Sequence, residues 1–341
     1  MKMLGACPIG VYEIWVASIM SGKNARVRRS FTSEFGEAQE DVACPICDSD
    51  ESKLVLAGKD ALYGKPGNYN VVRCAACSLS YVNPRPTIAS LDAHYPDDYM
   101  CYQAPDAGPP LFRSLSESIA RNMTQRRLTR LENVIGRIPA EAGIVDVGCG
   151  LNDLLVMIKN TRGPIGTGID LKQSMVTRIQ TKLGMPAVHG TLADAHFADG
   201  QLDLVTMLEY LEHEPNPGAV LAEARRVLKP GGHCAIEIPH SVGLPARMFK
   251  TNWSNLDVPR HLIFFDPQTL ARAFAANGFE LISYVPFTVP LHFGISLVFM
   301  LGGRNLGRNP LAPLMAAMLG LPFLPFLRWL PEFAFAVGRA V

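Results

Sequence analysis

The sequence predicts an α/β fold: a mostly parallel sheet with helices between its strands, preceded by a small cysteine-clamped module. Three observations carry this expectation. From residue 144 to residue 239, short apolar runs at 144–148, 165–170, 186–190, 202–208 and 233–239 alternate with segments of helical pattern. Such alternation implies parallel strands with ligands gathered at their carboxyl ends. The run Ile144 to Gly150, IVDVGCG, closes on Asp-x-Gly-x-Gly, a buried strand and then a glycine turn where backbone can approach a ligand before a helix begins. About twenty residues on, GTGIDLK closes the next run on Asp170, an acidic group placed to hydrogen-bond a ribose. Finally, four of the eight cysteines fall as CPIC at 44–47 and CAAC at 74–77.

A chain of 341 residues has room for two domains, and 48% apolar residues can supply a sizeable core. The formal net charge of +1 gives no global attraction for nucleic acid, so no nucleic-acid partner is expected. At the start, MKMLGACPIGVYEIWVASIM carries one early lysine, but Pro8 and Glu13 interrupt its apolar run, which argues against a cleaved signal. Residues 1–40 are expected to be poorly ordered.

Residues 41–82 read as a zinc ribbon. Cys44 with Cys47, and Cys74 with Cys77, can each clamp one side of a tetrahedral zinc ion, which replaces the core so small a module lacks. Four thiolates leave no open position for water, so a structural Zn2+ is expected. The spacing leaves open two unrelated thiol pairs or a redox dithiol. Cys7, Cys101, Cys149 and Cys234 show no paired spacing, as in a reducing cytoplasm.

Residues 83–113 read as a lid and linker. NPRPTIASLDAHYPDDYMCY is rich in proline and aromatics, and Pro105, Gly108, Pro109 and Pro110 follow it. A helix is expected after the Ser114-x-x-Glu117 capping box, with Leu128, Leu131, Ile135 and Ile138 at helical spacing. Its arginines, between Arg121 and Arg137, read as a solvated face.

Toward the C-terminus, Val285 to Gly303 and Pro310 to Leu327 carry no formal charge, while Arg304 and Arg308 lie between them. A helix of nineteen residues would rise about 28 Å, near the hydrocarbon thickness of a bilayer. Prolines at 286, 290, 313, 322 and 325 argue against straight spans. The expectation is an interfacial or shallow hairpin over 288–331 with its arginines near anionic headgroups. The alternative is an apolar flap buried against the domain or a dimer partner.

Four further segments complete a recognisable pattern: GTLADAHFADGQLDLV at 190–205, LEYLEHEPNP at 208–217, RRVLKPGGH at 225–233 and FDPQTLARAFAANGFE at 265–280. In this order they resemble the class I S-adenosylmethionine-dependent methyltransferases, in the bacterial branch with an LEH element, a VLKPGG turn and an N-terminal four-cysteine zinc ribbon. The resemblance covers residues 140 to 287 well. It implies a Rossmann-like seven-stranded sheet with its core at 114–287. The last strand, at 332–341, would be antiparallel and inserted between the fifth and sixth.

The resemblance also assigns roles. Gly148 and Gly150 would face the amino-acid part of S-adenosyl-L-methionine, with Asp146 positioning that loop and binding the amino group. Asp170, with Leu171 beside it, would take the ribose hydroxyls. Thr191 and Leu192 fall at the adenine position, where the family commonly has an aspartate, and Asn152 stands in place of a third loop glycine. Asn83 to Tyr102 matches a segment that accompanies this zinc module and would brace the catalytic domain. NLDVPRHL resembles the PRHL element of an insertion over the active site. There His261 is the first candidate for a base, and Arg260 for gripping an acceptor carboxylate or phosphate. His213 in LEH and His240 after the fifth strand are further candidates, although a structural hydrogen-bonding role is the plainer reading of His213.

In-line methyl transfer needs mainly alignment, because the sulfonium is already a good leaving group. The function expected is O-methylation of a lipid, lipid-linked sugar or related envelope metabolite. It is placed in the cytoplasm or peripherally on the cytoplasmic face of the inner membrane through 288–330. The alternatives are N- or C-methylation of a soluble small molecule, and a non-catalytic membrane-docked scaffold, the latter motivated by Asn152 and the absent adenine aspartate.

Overall fold

The computed structural model describes residues 26–96, 99, 110–151, 153–309, 311–327 and 329–341, and at 110–113, 115 and 116 it describes the backbone. The expectations for Cys7, Cys101 and Asn152 lie outside the described residues, as does most of the 103–113 linker.

Six short strands come first: β1 (Val27–Thr32), β2 (Ala38–Val42), β3 (Ser52–Gly58), β4 (Tyr69–Cys74), β5 (Ser80–Val82) and β6 (Arg85–Pro86). β1, β2 and β6 form one antiparallel sheet, so residues 27–40 are structured where a poorly ordered segment was expected. Their charged composition hides the strand pattern, because β1 is largely exposed and its sheet is anchored from far along the chain. Val42 N donates to Asn83 Oδ1 at 2.9 Å, and Arg85 Nε donates to Glu40 Oε1 at 2.9 Å.

Eight strands follow: β7 (Ile144–Val147), β8 (Thr167–Asp170), β9 (Ala187–His189), β10 (Leu202–Leu208), β11 (Leu228–Pro239), β12 (Ile263–Phe264), β13 (Phe279–Phe287) and β14 (Phe333–Ala340). All but β12 form one sheet in the order β13-β14-β11-β10-β7-β8-β9. β7 to β11 pair in parallel, and β14 runs antiparallel between β11 and β13. The sixth strand thus returns through an insertion to place the seventh inside the sheet, as the sequence resemblance implied. The inner strands are mostly apolar, with Val145, Val205, Ile236 and Val337 fully buried, as in a sheet covered on both faces.

β12, two residues beyond His261, belongs elsewhere. Ile263 pairs with Tyr81 and Phe264 with Ser80, extending the sheet β12-β5-β4-β3 of the cysteine module. Cys44, Tyr69 and Leu79 share one continuous core with Val145, Leu221 and Phe274. The module is therefore joined to the parallel-sheet domain by a strand and by packing.

Two helices brace the sheet's carboxyl edge. The first runs Pro110–Ile135, starting before the Ser114 capping position that the sequence marked. Its arginines are not all solvated: Arg127 reaches inward to Glu237 at 3.0 Å, and Arg130 lies 3.7 Å over the Phe287 ring. The second, Pro290–Met300, opens the apolar insertion and packs against Ala312–Gly320. Their approach needs glycine: a Cβ on Gly294 would lie 1.9 Å from the Ala316 carbonyl oxygen. Phe293, Ile295, Val298 and Phe299 point inward, while Leu314, Met318, Leu321, Phe326 and Trp329 are exposed. Among the described residues, no helix is long and apolar enough to cross a membrane.

Candidate active site

The carboxyl ends of β7, β8 and β10 open into a cavity of about 280 Å³, roofed by residues 88–95, Tyr99, residues 254–261 and the helix Pro290–Met300. On one side Val147, Gly148, Gly150, Asp170, Leu171 and Gly190 line it. Gly148 has φ +69°, and a Cβ there would sit 2.5 Å from the Tyr210 ring, so backbone freedom and close approach both require glycine. Asp170 shapes the turn: Gly150 N donates to its Oδ2 at 2.9 Å and Lys172 N to its Oδ1 at 2.8 Å. Each carboxylate oxygen keeps a second lone pair for a hydroxyl.

Other residues expected on this side sit behind the surface. Asp146 is buried beneath the loop, accepts from Thr206 Oγ1 at 2.5 Å and does not line the cavity. Burial pushes its pKa up to about 7. Thr191 and Leu192 are buried and also lie outside the lining, which at this turn is made by Gly190. Asp194 closes the turn by accepting from Thr191 N at 2.8 Å and Thr191 Oγ1 at 2.6 Å.

The opposite side is built from Tyr95, Tyr99, Glu209, Tyr210, His213, Asn255, Asp257, His261 and His292. The LEH and PRHL segments, some fifty residues apart in sequence, meet here because Leu262 N donates to Glu212 O at 2.8 Å. The His213 and His261 rings stand edge to face, centroids 4.6 Å apart. His261 Nδ1 donates to Asn255 O at 2.8 Å, and His213 Nδ1 lies 3.0 Å from Arg260 O and 2.9 Å from Tyr95 Oη. A carbonyl can only accept, so both rings carry the proton on Nδ1 and leave Nε2 with a lone pair. Burial lowers both pKa values, that of His213 to about 3, and keeps the imidazoles neutral.

Arg260 does not face an acceptor. Its side chain is fully buried and its guanidinium is taken by Asp60, at 2.7 and 3.0 Å, and by Asp257, at 2.5 and 3.0 Å. The anion it grips is the protein's own, and one of the two comes from the cysteine module. His240 also lies outside the cavity, with Nδ1 2.8 Å from Tyr284 Oη.

Three groups at the site escaped the sequence reading. His292, the one histidine of the charge-free run from Val285 to Gly303, lines the cavity from the helix Pro290–Met300. Glu209 and Glu212 lie within LEYLEHE, a segment singled out for its histidine. Glu209 is at φ +55° and pairs with Arg127. Burial opposes its charge, but Arg127 holds its pKa below the usual carboxylate range. Glu212 is buried with no hydrogen-bond partner on either oxygen, and burial pushes its pKa well above the usual range.

Away from the cavity, Cys44, Cys47, Cys74 and Cys77 converge with all four sulfurs within 4.8 Å of one another. Cys44 Sγ lies 3.5 Å from Cys77 Sγ, and Cys47 Sγ 3.5 Å from Cys74 Sγ. A tetrahedral zinc with bonds of about 2.3 Å sets sulfurs about 3.8 Å apart, so the set fits a metal ion. Asp48 and Ser78, each following the second cysteine of a pair, both adopt positive φ, and Cys77 N donates to Cys74 Sγ at 3.4 Å.

Residues 117–284 match the profile of a methyltransferase domain. The chain is 30% identical over 210 residues to an uncharacterized 37.1 kDa protein in transposon TN4556 of Streptomyces fradiae, covering 58% of each chain. It is 30% identical over 143 residues to the 27-O-demethylrifamycin SV methyltransferase of Amycolatopsis mediterranei, covering 38% of this chain and 52% of that one. To the ubiquinone biosynthesis O-methyltransferase of Pseudomonas paraeruginosa it is 37% identical over 95 residues, covering 26% and 40%. The chain thus spans about half the length of these curated relatives. The matched domain runs from the helix Pro110–Ile135 to β13 and contains the glycine turn, Asp170 and the LEH segment. By that match and its strand order, residues 117–284 form a class I S-adenosylmethionine-dependent methyltransferase domain.

Proposed function

We propose that this protein transfers the methyl group of S-adenosylmethionine to an oxygen of a small, largely apolar acceptor, of lipid or lipid-linked type. The observation that carries the reading is the shared cavity, with the glycine turn and Asp170 on one wall and two neutral imidazoles on the other. The turn's backbone and Asp170 hold the donor, with the ribose hydroxyls on the carboxylate. When bound, the donor supplies an electrophilic methyl group on a cationic sulfur. The acceptor hydroxyl enters between Tyr95, His213 and His261, and Nε2 of His261 takes its proton. The aromatic and aliphatic roof, Tyr95, Tyr99, Leu291, Ile295 and Phe299, favours an apolar body. The same insertion turns Leu314, Met318 and Phe326 outward, which supports a membrane surface as the source of the acceptor. The four cysteines hold a structural zinc ion in this reading.

The test is incubation of purified protein with methyl-labelled donor and whole-cell extract, followed by phase partition. Protein-dependent label in the organic phase, lost in His261→Phe, is the expected result. Label confined to the aqueous phase would redirect the acceptor to soluble metabolites, and no label at all would favour a scaffold.

A further inference from the structure

Glu212 is the least explained residue of the site. Its side chain is buried, neither carboxylate oxygen has a hydrogen-bond partner, and no cation is paired with it among the described residues. Leaving such a group without compensation is costly, and buried carboxylates are ordinarily paired, protonated or bound to metal. It does not stand alone. A carboxylate oxygen of Glu212 and one ring nitrogen each of His213 and His261 lie within 4.8 Å of one another. Both rings have their Nδ1 turned to backbone carbonyls, at 2.8 and 3.0 Å, an arrangement that fixes ring orientation and leaves Nε2 unprotonated.

We propose that Glu212, His213 and His261 bind a divalent transition-metal cation at the acceptor end of the cavity. Two imidazoles and one carboxylate form a donor set suited to zinc, cobalt, iron or manganese, and three protein ligands leave positions open for a substrate oxygen. Bonds of about 2.1 Å place adjacent donors roughly 3.0 to 3.4 Å apart, so donors already within 4.8 Å of one another are near enough to close on an ion. His213 and His261 line the cavity, so the open positions face the acceptor. This deepens the methyl-transfer reading and rests on it for the role of the ion. The acceptor hydroxyl coordinates, its proton becomes more acidic and passes to solvent, and the bound oxygen attacks the methyl carbon as the carbon–sulfur bond breaks. With the ion present the imidazoles are ligands, and the proton no longer passes to His261. The site differs from the four-cysteine cluster in donor chemistry, so the two can be read separately.

The experiment is titration with Co2+ of the full-length protein carrying only the one equivalent of zinc held by its four cysteines, followed by visible absorption. The expected result is one equivalent bound with weak d–d bands of a nitrogen and oxygen environment, without the intense near-ultraviolet charge transfer of cobalt thiolate. Those bands disappear in Glu212→Gln and in His261→Phe, while circular dichroism shows both variants folded. No bands in the wild type, or bands that persist in both variants, overturn the proposal. If one variant fails to fold, the other decides. The readout is independent of turnover: cobalt binding without methyl transfer removes the proposed reaction and keeps the site, whereas methyl transfer without cobalt binding does the reverse.

Discussion

At the scale of single residues, the donor side is governed by what is buried under it. Asp146 lies beneath the glycine turn with one hydroxyl partner, Thr206 Oγ1, and its pKa is pushed up to about 7 from an ordinary 3.8. Between those values the folded protein holds a proton that the unfolded chain has released, so this group's contribution to stability falls as pH rises. The favourable share is complete below pH 3.8 and lost as pH passes through 7. Asn at the same place is neutral throughout. The stability of Asp146→Asn relative to wild type should therefore improve by about 2–3 kcal/mol between about pH 5 and pH 8, using roughly 1.36 kcal/mol per unit. Urea unfolding at the two pH values checks this, and a gap that does not change with pH would refute it.

At the scale of elements, the insertion has two faces with different tasks. Its first helix, Pro290–Met300, supplies the cavity roof through Leu291, His292, Ile295 and Phe299, so the segment is part of the site and not an appendage. Deleting all of 288–330 would remove Phe293 and Val298 from the core and confound any fractionation result. Substitution of the outer face is the cleaner change. Leu314→Ser, Met318→Ser and Phe326→Ser together should reduce co-sedimentation with vesicles containing anionic lipid by about tenfold or more, since each buried apolar side chain contributes roughly 1.5–3 kcal/mol. The melting temperature should hold, because these side chains are exposed. Unchanged sedimentation would assign this face to a protein partner.

At the scale of the whole molecule, the cysteine module helps shape the acceptor side. β12 joins its sheet directly after His261, and Asp60 from the module meets Arg260 two-pronged in the interior. Just beyond the module, Arg85 of β6 adds a further tie by donating to Pro215 O at 2.8 Å, next to the LEH turn. Arg260→Ala would strand Asp60 and Asp257 as buried charges and should cost about 3–5 kcal/mol of stability, measured by denaturant unfolding. Unimpaired stability with a raised KM for an anionic acceptor would restore the role the sequence suggested for this arginine.

Periodicity and turn chemistry alone specify the parallel strands, the glycine turn facing Asp170, the paired cysteines and the apolar insertion, because each is a local pattern of period or spacing. The order that puts β14 between β11 and β13 was legible through resemblance. The reach of side chains across distant segments was not. Arg260 in PRHL looks like an anion receptor until Asp60, 200 residues earlier, is found to fill it. β1 and β2 look unstructured until residues 83–86 supply their anchor. Glu212 carries no signal of its own within LEYLEHE until folding buries it beside two histidines. Charge pairing and burial depend on which surfaces meet, and long-range packing alone sets those meetings.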